Sequence, residues 1–403
     1  MPLANAFLFS LEEAASEASY PLAVAACSTC GLVQLHYVVP AERMYRDYLY
    51  VTSTSDTAKA HAEWLATELV KRYAWQPGQL LVEVASNDGT VLKSFQRTGL
   101  RVLGIEPARN IAAMAEADGV STVAEFFSAA TAKQVAAAHG RAIGILARHV
   151  FAHVNDVHDF LEGVSVLLDD EGVFVIEMSY LGPMLSQLEF DSIYHEHLSY
   201  FSLAPLIRLC REHGLDLVDA EPITLHGGSM LFYVRRPGRG IIRSRRLEQL
   251  LEEEQRMALT SPQTLTRFGE SVRRWRDDFT SWMGELQQGG ARFIGYGAAA
   301  KANTLLNYCP AEVAASLGCL LDRSPLKHGR YAPGTHLPVK PVEHWRTSDA
   351  THLLILAWNY KEEIIRQLQP FARRGGRFVV PTPHPEIVDG LMPEPSTVRL
   401  GVS

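Results

Sequence analysis

Apolar and polar positions alternate along the chain in two different rhythms, and the change between them marks the elements. From about Thr57 to Arg72 the spacing is that of an amphipathic helix. It leads into Leu80–Val84, an apolar run interrupted only by Glu83, which suits a buried parallel strand. The small and polar residues Ala85–Ser86–Asn87–Asp88–Gly89–Thr90 follow, and helical spacing resumes at Val91. Arg101–Ile105 reads as a second strand ending in Glu106-Pro107, Ile143–Ala147 as a fourth, and Val173–Ile176 as a fifth with Glu177 and Tyr180 at its tip. Between Arg243 and about Gln288 the charges alternate around Leu247, Leu250, Leu251, Phe279 and Trp282, which predicts two connecting helices with solvated faces, separated at Pro262. A second strand–turn–helix unit starts at Ala291, with further strands at Gly318–Leu321 and Leu353–Ala357. The fold class is therefore α/β, with two doubly wound, Rossmann-like units. The expected division is 1–55, 56–240, 241–290 (the connecting helices) and 291–403.

A chain of 403 residues exceeds what one core usually supports, in agreement with that division. Its 47% hydrophobic and 21% charged residues are ordinary for a soluble globular protein. A net charge of −7 argues against a nucleic-acid partner, although a few local Arg and Lys residues still suffice for a phosphorylated substrate. No apolar run approaches the roughly 18 residues needed to span a bilayer. The first residues, MPLANAFLFSLEEA, lack a basic segment and a long apolar core, so they do not read as a signal peptide. Five cysteines, mostly scattered, make no disulfide framework, and the cytoplasm is the default location.

The candidate chemistry sits at strand ends. The strand–turn–helix corner Gln79–Leu92 is where a doubly wound sheet binds ligands, because small residues admit a close approach and helix-start amides offer donors. It is not G-x-G-x-x-G, since Ala85 stands where the first glycine would be. Glu106, about 20 residues on, is placed for ribose hydroxyls, and Glu125-Phe126-Phe127 for an apolar wall beside an adenine. His153, in Val150-Phe151-Ala152-His153, also follows a strand end. Tyr194-His195-Glu196-His197-Leu198-Ser199-Tyr200-Phe201-Ser202 is the most specific stretch. It lacks the i, i+4 histidine spacing of a helical metal site. His197 suits a neutral base, with Glu196 or Tyr194 orienting it or holding an oxyanion. Gly295-Tyr296-Gly297-Ala298-Ala299-Ala300-Lys301 matches G-x-G-x-x-A between strand and helix. It fits a dinucleotide weakly, and it also fits the diphosphate of a nucleotide sugar through helix-start amides and Lys301. His226-Gly227-Gly228-Ser229-Met230 permits a turn close to a ligand, or simply a hairpin. Cys27-Ser28-Thr29-Cys30-Gly31 is half of a zinc ribbon.

The stretch E-V-A-S-N-D-G at Glu83–Gly89 resembles the S-adenosylmethionine (SAM) loop of the three-domain sugar C-methyltransferases. Y-H-E-H-L-S-Y-F-S, V-F-A-H, the run Asp322–Thr335 and Leu356-Ala357-Trp358-Asn359 are similar to motifs of the same family, in the same order. The resemblance implies a class I SAM methyltransferase fold over 56–240 and a C-terminal unit that closes over the substrate. It places the cofactor on Glu83, Ala85, Ser86, Asn87, Asp88, Gly89, Glu106, Pro107 and Phe127. It implies as acceptor a nucleoside diphosphate 4-keto-deoxysugar, often a dTDP sugar. By this analogy His197 removes the C3 proton, Tyr194, Glu196 and His153 support the enolate or orient the sugar, and the carbon then attacks the methyl group. Tyrosines of the run Tyr45–Ser55 are placed over the acceptor, with Tyr48 and Tyr50 the candidates. Tyr200, Ser229, Tyr296, Lys301 and Arg330 complete the expected substrate contacts. His149 stands where asparagine is expected more often, which leaves its carried-over role in doubt.

In that family another C-x-x-C lies upstream, so the chain reads as starting inside a zinc module, with Cys27 and Cys30 as its remaining ligands. A misassigned start, a lost metal, and completion of a poorer site by His36 and a carboxylate are the open readings. Two structural cysteines in a turn is the favoured one. Against C-methylation stand an O- or N-methyltransferase, an NAD(P)-linked oxidoreductase using Gly295–Lys301, and a noncatalytic nucleotide-sugar-binding subunit.

Overall fold

The protein is described in a computed structural model covering residues 1–46, 48–223, 228–238, 242–388 and 390. His226 and Gly227 of the predicted glycine turn lie outside the described residues. The amphipathic helix runs over Asp56–Tyr73, started by the Ser55 hydroxyl, which accepts from the Ala58 amide, and ended by Ala74 in the left-handed region at φ 51°.

It feeds a seven-stranded sheet built from β1 (Leu80–Val84), β2 (Arg101–Ile105), β3 (Thr122–Val123), β4 (Ala142–Arg148), β5 (Leu168–Ser179), β6 (Asp216–Ile223) and β7 (Ser229–Arg235). The strand order is β3-β2-β1-β4-β5-β7-β6, parallel except for β7, which runs antiparallel to both its neighbours. All five residues of β1 are buried, which is why it carries no alternation. β5 extends beyond the predicted Val173–Ile176 on both sides, because Leu168 pairs with Ala142 across a register shift and Glu177–Ser179 stay paired with β7.

The two connecting helices are Arg245–Met257 and Pro262–Gln288, each opened by a serine cap. Pro262 occupies the first turn of the second helix, where its missing N–H costs nothing. Glu254 of the first helix is buried and accepts from Tyr180 Oη at 2.6 Å and from the Leu203 amide that opens helix Leu203–Glu212. A carboxylate there also complements the positive end of that helix.

The C-terminal sheet comprises β8 (Phe293–Tyr296), β9 (Leu317–Asp322), β10 (Val339–Pro341), β11 (His352–Ile355), β12 (Arg377–Val380) and β13 (Glu386–Val388). Its order is β10-β9-β8-β11-β12-β13, with only β13 antiparallel. At the N-terminus, Val24–Ala26 and Val33–Leu35 form a hairpin whose second strand also pairs with Ser199–Tyr200. The first residues instead dock on the C-terminal unit: Leu8 and Tyr331 exchange backbone bonds, Asn303 Nδ2 donates to Ala4 O at 2.7 Å, and Phe7 enters that unit's core. Phe190 enters the same core against Trp275 and Tyr308, although it precedes the Tyr194–Ser202 motif of the first unit.

Replacing Glu254 with alanine leaves the Tyr180 hydroxyl and a helix-start amide without their acceptor. It should cost about 2 kcal/mol of stability, read as a lowered midpoint in urea unfolding.

Candidate active site

The ends of β1, β2 and β4, the tyrosine-rich segment, the Tyr194–Ser202 motif and the start of helix Ala300–Tyr308 border one cavity of about 440 Å³. That volume lies in the range of small-molecule and cofactor sites.

Its floor is the corner after β1. Ala85, Asn87 and Gly89 take positive φ (52°, 51° and 74°), so the chain doubles back sharply and its amides are spoken for locally. Ala85 N donates to Ile105 O at 2.7 Å, and Asn87 N to Glu106 Oε2 at 2.9 Å. Gly104 on β2 makes the close approach possible: a Cβ there would lie 2.3 Å from Ser86 Oγ. Asn87 Oδ1 accepts from the Thr52 amide and hydroxyl, Asn87 Nδ2 donates to Tyr50 O, and Asp88 Oδ2 accepts from Ser53 N. These two side chains pin the tyrosine segment onto the corner. Ala85, Ser86, Asn87, Glu106, Pro107 and Phe127 border the cavity, while Asp88 and Gly89 stand behind it. Glu106 also accepts from Ala108 N at 2.8 Å, and each of its oxygens retains a second lone pair.

Beneath the corner lies a buried ionic cluster. Burial would raise Glu177, but Arg148 at 3.1 Å, with His149 and His61 hydrogen-bonded to the carboxylate, holds it well below its usual value. Glu83 has only Arg148 at 3.6 Å, and its Oε2 is buried without a partner. Burial pushes its pKa up to about 8, Arg148 offsetting part of the rise and Glu177 adding to it.

The opposite wall carries the imidazoles. His197 Nδ1 lies 2.7 Å from Ser192 O, which can only accept, so Nδ1 holds the proton and Nε2 accepts from Tyr194 Oη at 2.8 Å. Tyr45 Oη spends its one proton on Glu196 O at 3.1 Å, so His153 Nδ1 donates to Tyr45 Oη at 3.2 Å. His153 Nε2 is therefore unprotonated, buried and without a partner. The rings of His153 and His197 are 4.9 Å apart. Burial lowers the pKa of both, His197 to about 3, so both are neutral. Glu196 does not border the cavity. Its carboxylate takes Asn5 Nδ2 at 2.6 Å and Tyr48 Oη at 2.9 Å, two groups that do, and burial pushes it up to about 7.

Three family models match the chain in order: a "Putative zinc binding domain" over residues 1–45, a methyltransferase domain over 59–220 and a C-methyltransferase C-terminal domain over 224–383. C-methyltransferase NovU of Streptomyces niveus is 34% identical over 387 residues, covering 96% of this chain and 92% of NovU. The chain belongs to the SAM-dependent C-methyltransferase family. Similar solved structures include magnesium protoporphyrin IX methyltransferase of Synechocystis PCC 6803 with bound SAH (11% identity, 44% of this chain, 83% of that chain, TM-score 0.35). Another is the glycopeptide N-methyltransferase MtfA complexed with SAM (13%, 44%, 94%, TM-score 0.35).

In this C-methyltransferase the expected acceptor contacts divide. Tyr48, Tyr50 and Lys301 border the cavity together with His153, Tyr194 and His197. Tyr200 borders a separate cavity of about 20 Å³ behind the histidines. Ser229 sits in β7 paired with Ser179, which borders the cavity, but does not border it itself. Tyr296 is buried with its hydroxyl on Gln367 at 3.1 Å, and Arg330 lies over the Phe9 ring at 4.2 Å. These four do not border the large cavity. Asn5, Tyr45, Thr52, Arg148 and Lys327 border it without having been singled out. Tyr45 lies in the tyrosine-rich run, Lys327 in the run after Asp322 and Asn5 in PLANAF, so each was in view as sequence but not as neighbour.

The acid at the end of β9 is not available to a dinucleotide ribose. Asp322 accepts from Ala298 N, Ser324 N and Lys327 Nζ, tying its own glycine loop together. Cys27 and Cys30 flank the hairpin tip, where Cys30 and Thr29 amides lower the Cys27 pKa. His36 pairs with Ala23 at the hairpin's other end, too far to share a metal with them. Among the described residues no group of three or more His, Cys, Asp or Glu side chains is placed to hold a metal ion. The residues present therefore do not fit a tetrahedral zinc site.

A raised carboxyl pKa contributes stability that is complete below about pH 4.5 and lost as pH rises through the folded value. Glu83 should thus make the protein less stable between pH 5 and pH 8. Glu83→Gln should flatten that fall, measured by urea unfolding at several pH values. An unchanged slope would contradict the assignment.

Proposed function

We propose that this C-methyltransferase methylates carbon C3 of a nucleoside diphosphate 4-keto-deoxysugar, with dTDP as the nucleotide. The observation that carries the reading is that two neutral, half-buried imidazoles face the corner after β1 across one cavity. Carbon methylation needs a base, because carbon becomes a nucleophile only once a proton beside the ketone is removed; oxygen and nitrogen carry lone pairs already.

The cofactor, when bound, supplies an electrophilic methyl group on a sulfonium. Glu106, whose oxygens each keep a second lone pair, suits its ribose, and Phe126 and Phe127 suit its adenine face. Ser86 Oγ, buried without a partner, is free to meet a polar group there. On the acceptor side the C3 proton passes to the Tyr194–His197 pair and ends on His197 Nε2, whose other nitrogen stays fixed on Ser192 O. His153 Nε2 accepts from a sugar hydroxyl. Tyr48 and Asn5, locked by Glu196, orient the ring. Lys301 and the first amides of helix Ala300–Tyr308 face the same cavity and suit the diphosphate.

His197→Asn should abolish both deuterium exchange at C3 from solvent and methyl transfer, with SAM affinity within about twofold of wild type. Proton NMR of a dTDP-4-keto-deoxysugar in deuterated buffer reads the exchange. Exchange at the wild-type rate in the variant would rule out the pair as the base.

A further inference from the structure

The residues just before the Tyr194–Ser202 motif are held by the C-terminal unit rather than by the sheet they follow in sequence. Glu189, Asp191 and Ser192 are 2%, 0% and 1% exposed. Glu189 Oε2 pairs with Lys301 Nζ at 3.2 Å. Lys301 Nζ stands 4.6 Å over the Trp358 ring, and Trp358 Nε1 donates to Asp191 Oδ2 at 2.6 Å. Ser192, the next residue, presents the carbonyl that fixes His197 Nδ1 at 2.7 Å. Phe190, between the two acids, is planted in the C-terminal core. Lys301 thus pairs with Glu189 while Asp191 takes the Trp358 indole, and Lys301 also borders the acceptor cavity. Glu189 Oε1 and Asp191 Oδ1 are buried without partners, so the cluster is under-compensated and sensitive to where Lys301 is drawn.

We infer that Glu189, Asp191 and Trp358 are positioning residues that couple occupation of the Lys301 anion subsite to the orientation of His197. The inference rests on the diphosphate reading of Lys301 given above. An anion that draws Lys301 toward the cavity loosens its hold on Glu189. The Glu189–Ser192 segment, anchored at Phe190 and through Asp191 on Trp358, then adjusts the Ser192 carbonyl and with it the imidazole. The nucleotide half of the acceptor thus contributes to the rate of proton removal as well as to binding, as expected when remote binding is used to orient the reacting centre.

The test follows the ring nitrogens of His197 in the full-length protein labelled with ¹⁵N-histidine, the His197 signals being identified by their loss in His197→Asn. Inorganic pyrophosphate is the probe, and its binding is measured separately by calorimetry. In wild type, pyrophosphate should shift the His197 Nδ1 resonance. In Trp358→Phe, which keeps a ring beneath Lys301 but removes the indole N–H, pyrophosphate should still bind and the shift should be lost. Asp191→Asn, which keeps an acceptor for the indole and serves should Trp358→Phe not fold, should retain it. With the dTDP-ketosugar, Trp358→Phe should lower kcat for C3 exchange about tenfold and leave KM within about twofold. Pyrophosphate that binds wild type without moving His197, or moves it equally in Trp358→Phe, overturns the coupling alone. Pyrophosphate that does not bind overturns the anion reading of Lys301 and the coupling with it.

Discussion

The site depends on one constraint: ionisable and polar side chains are taken out of water, and each must then be held in a single protonation state by its neighbours. A buried imidazole loses the hydration that would stabilise its cation, so His153 and His197 are neutral, and the hydrogen bonds around them decide which nitrogen carries the proton. Ser192 O and Tyr194 Oη settle His197, and Glu196 O settles His153 through Tyr45. The same burial splits the carboxylates. Glu177 stays ionised because Arg148, His149 and His61 converge on it, whereas Glu83, with one distant guanidinium, is pushed toward the neutral acid.

Meeting that constraint takes three parts of the chain. The first sheet supplies the corner after β1 and the acid after β2. The N-terminal segment supplies Asn5 and the tyrosines, drawn in by Asn87 and Asp88 on one side and Glu196 on the other. The C-terminal unit supplies Lys301 and the helix start, and it grips the Tyr194–Ser202 loop through Phe190 and Trp358. A strand-end loop alone would leave Tyr194 and His197 exposed to water; packed between two units it becomes a wall.

The strands and helices were legible from local pattern. Leu80–Val84 is apolar on both faces, and the stretches opened by Ser55 and Ser261 carry their own start signals. The corner after β1, Glu106 and the pair Tyr194–His197 stood out as short motifs, and all border one large cavity. What local pattern could not convey was which side of an element faces the cavity. Tyr296 stands between two glycines yet ends β8 with its ring in its own unit's core, and Ser229 follows two glycines in sequence yet lies inside a sheet. Arg148 and Asn5 are held by partners 29 and 191 positions away, Glu177 and Glu196. Asp322 shows the converse: an acid placed for a ribose by spacing is consumed by its own loop.

The central claim is that a buried base makes carbon the nucleophile, and the product reports on it directly. Incubation with SAM carrying a ¹³C-methyl group and a dTDP-4-keto-deoxyhexose, followed by carbon NMR, identifies the atom that receives the methyl. The account predicts a methyl signal in the aliphatic C–CH₃ region, correlated to C3 and to the neighbouring C4. A signal in the methoxy or N-methyl region, with the C3 proton retained, would contradict it.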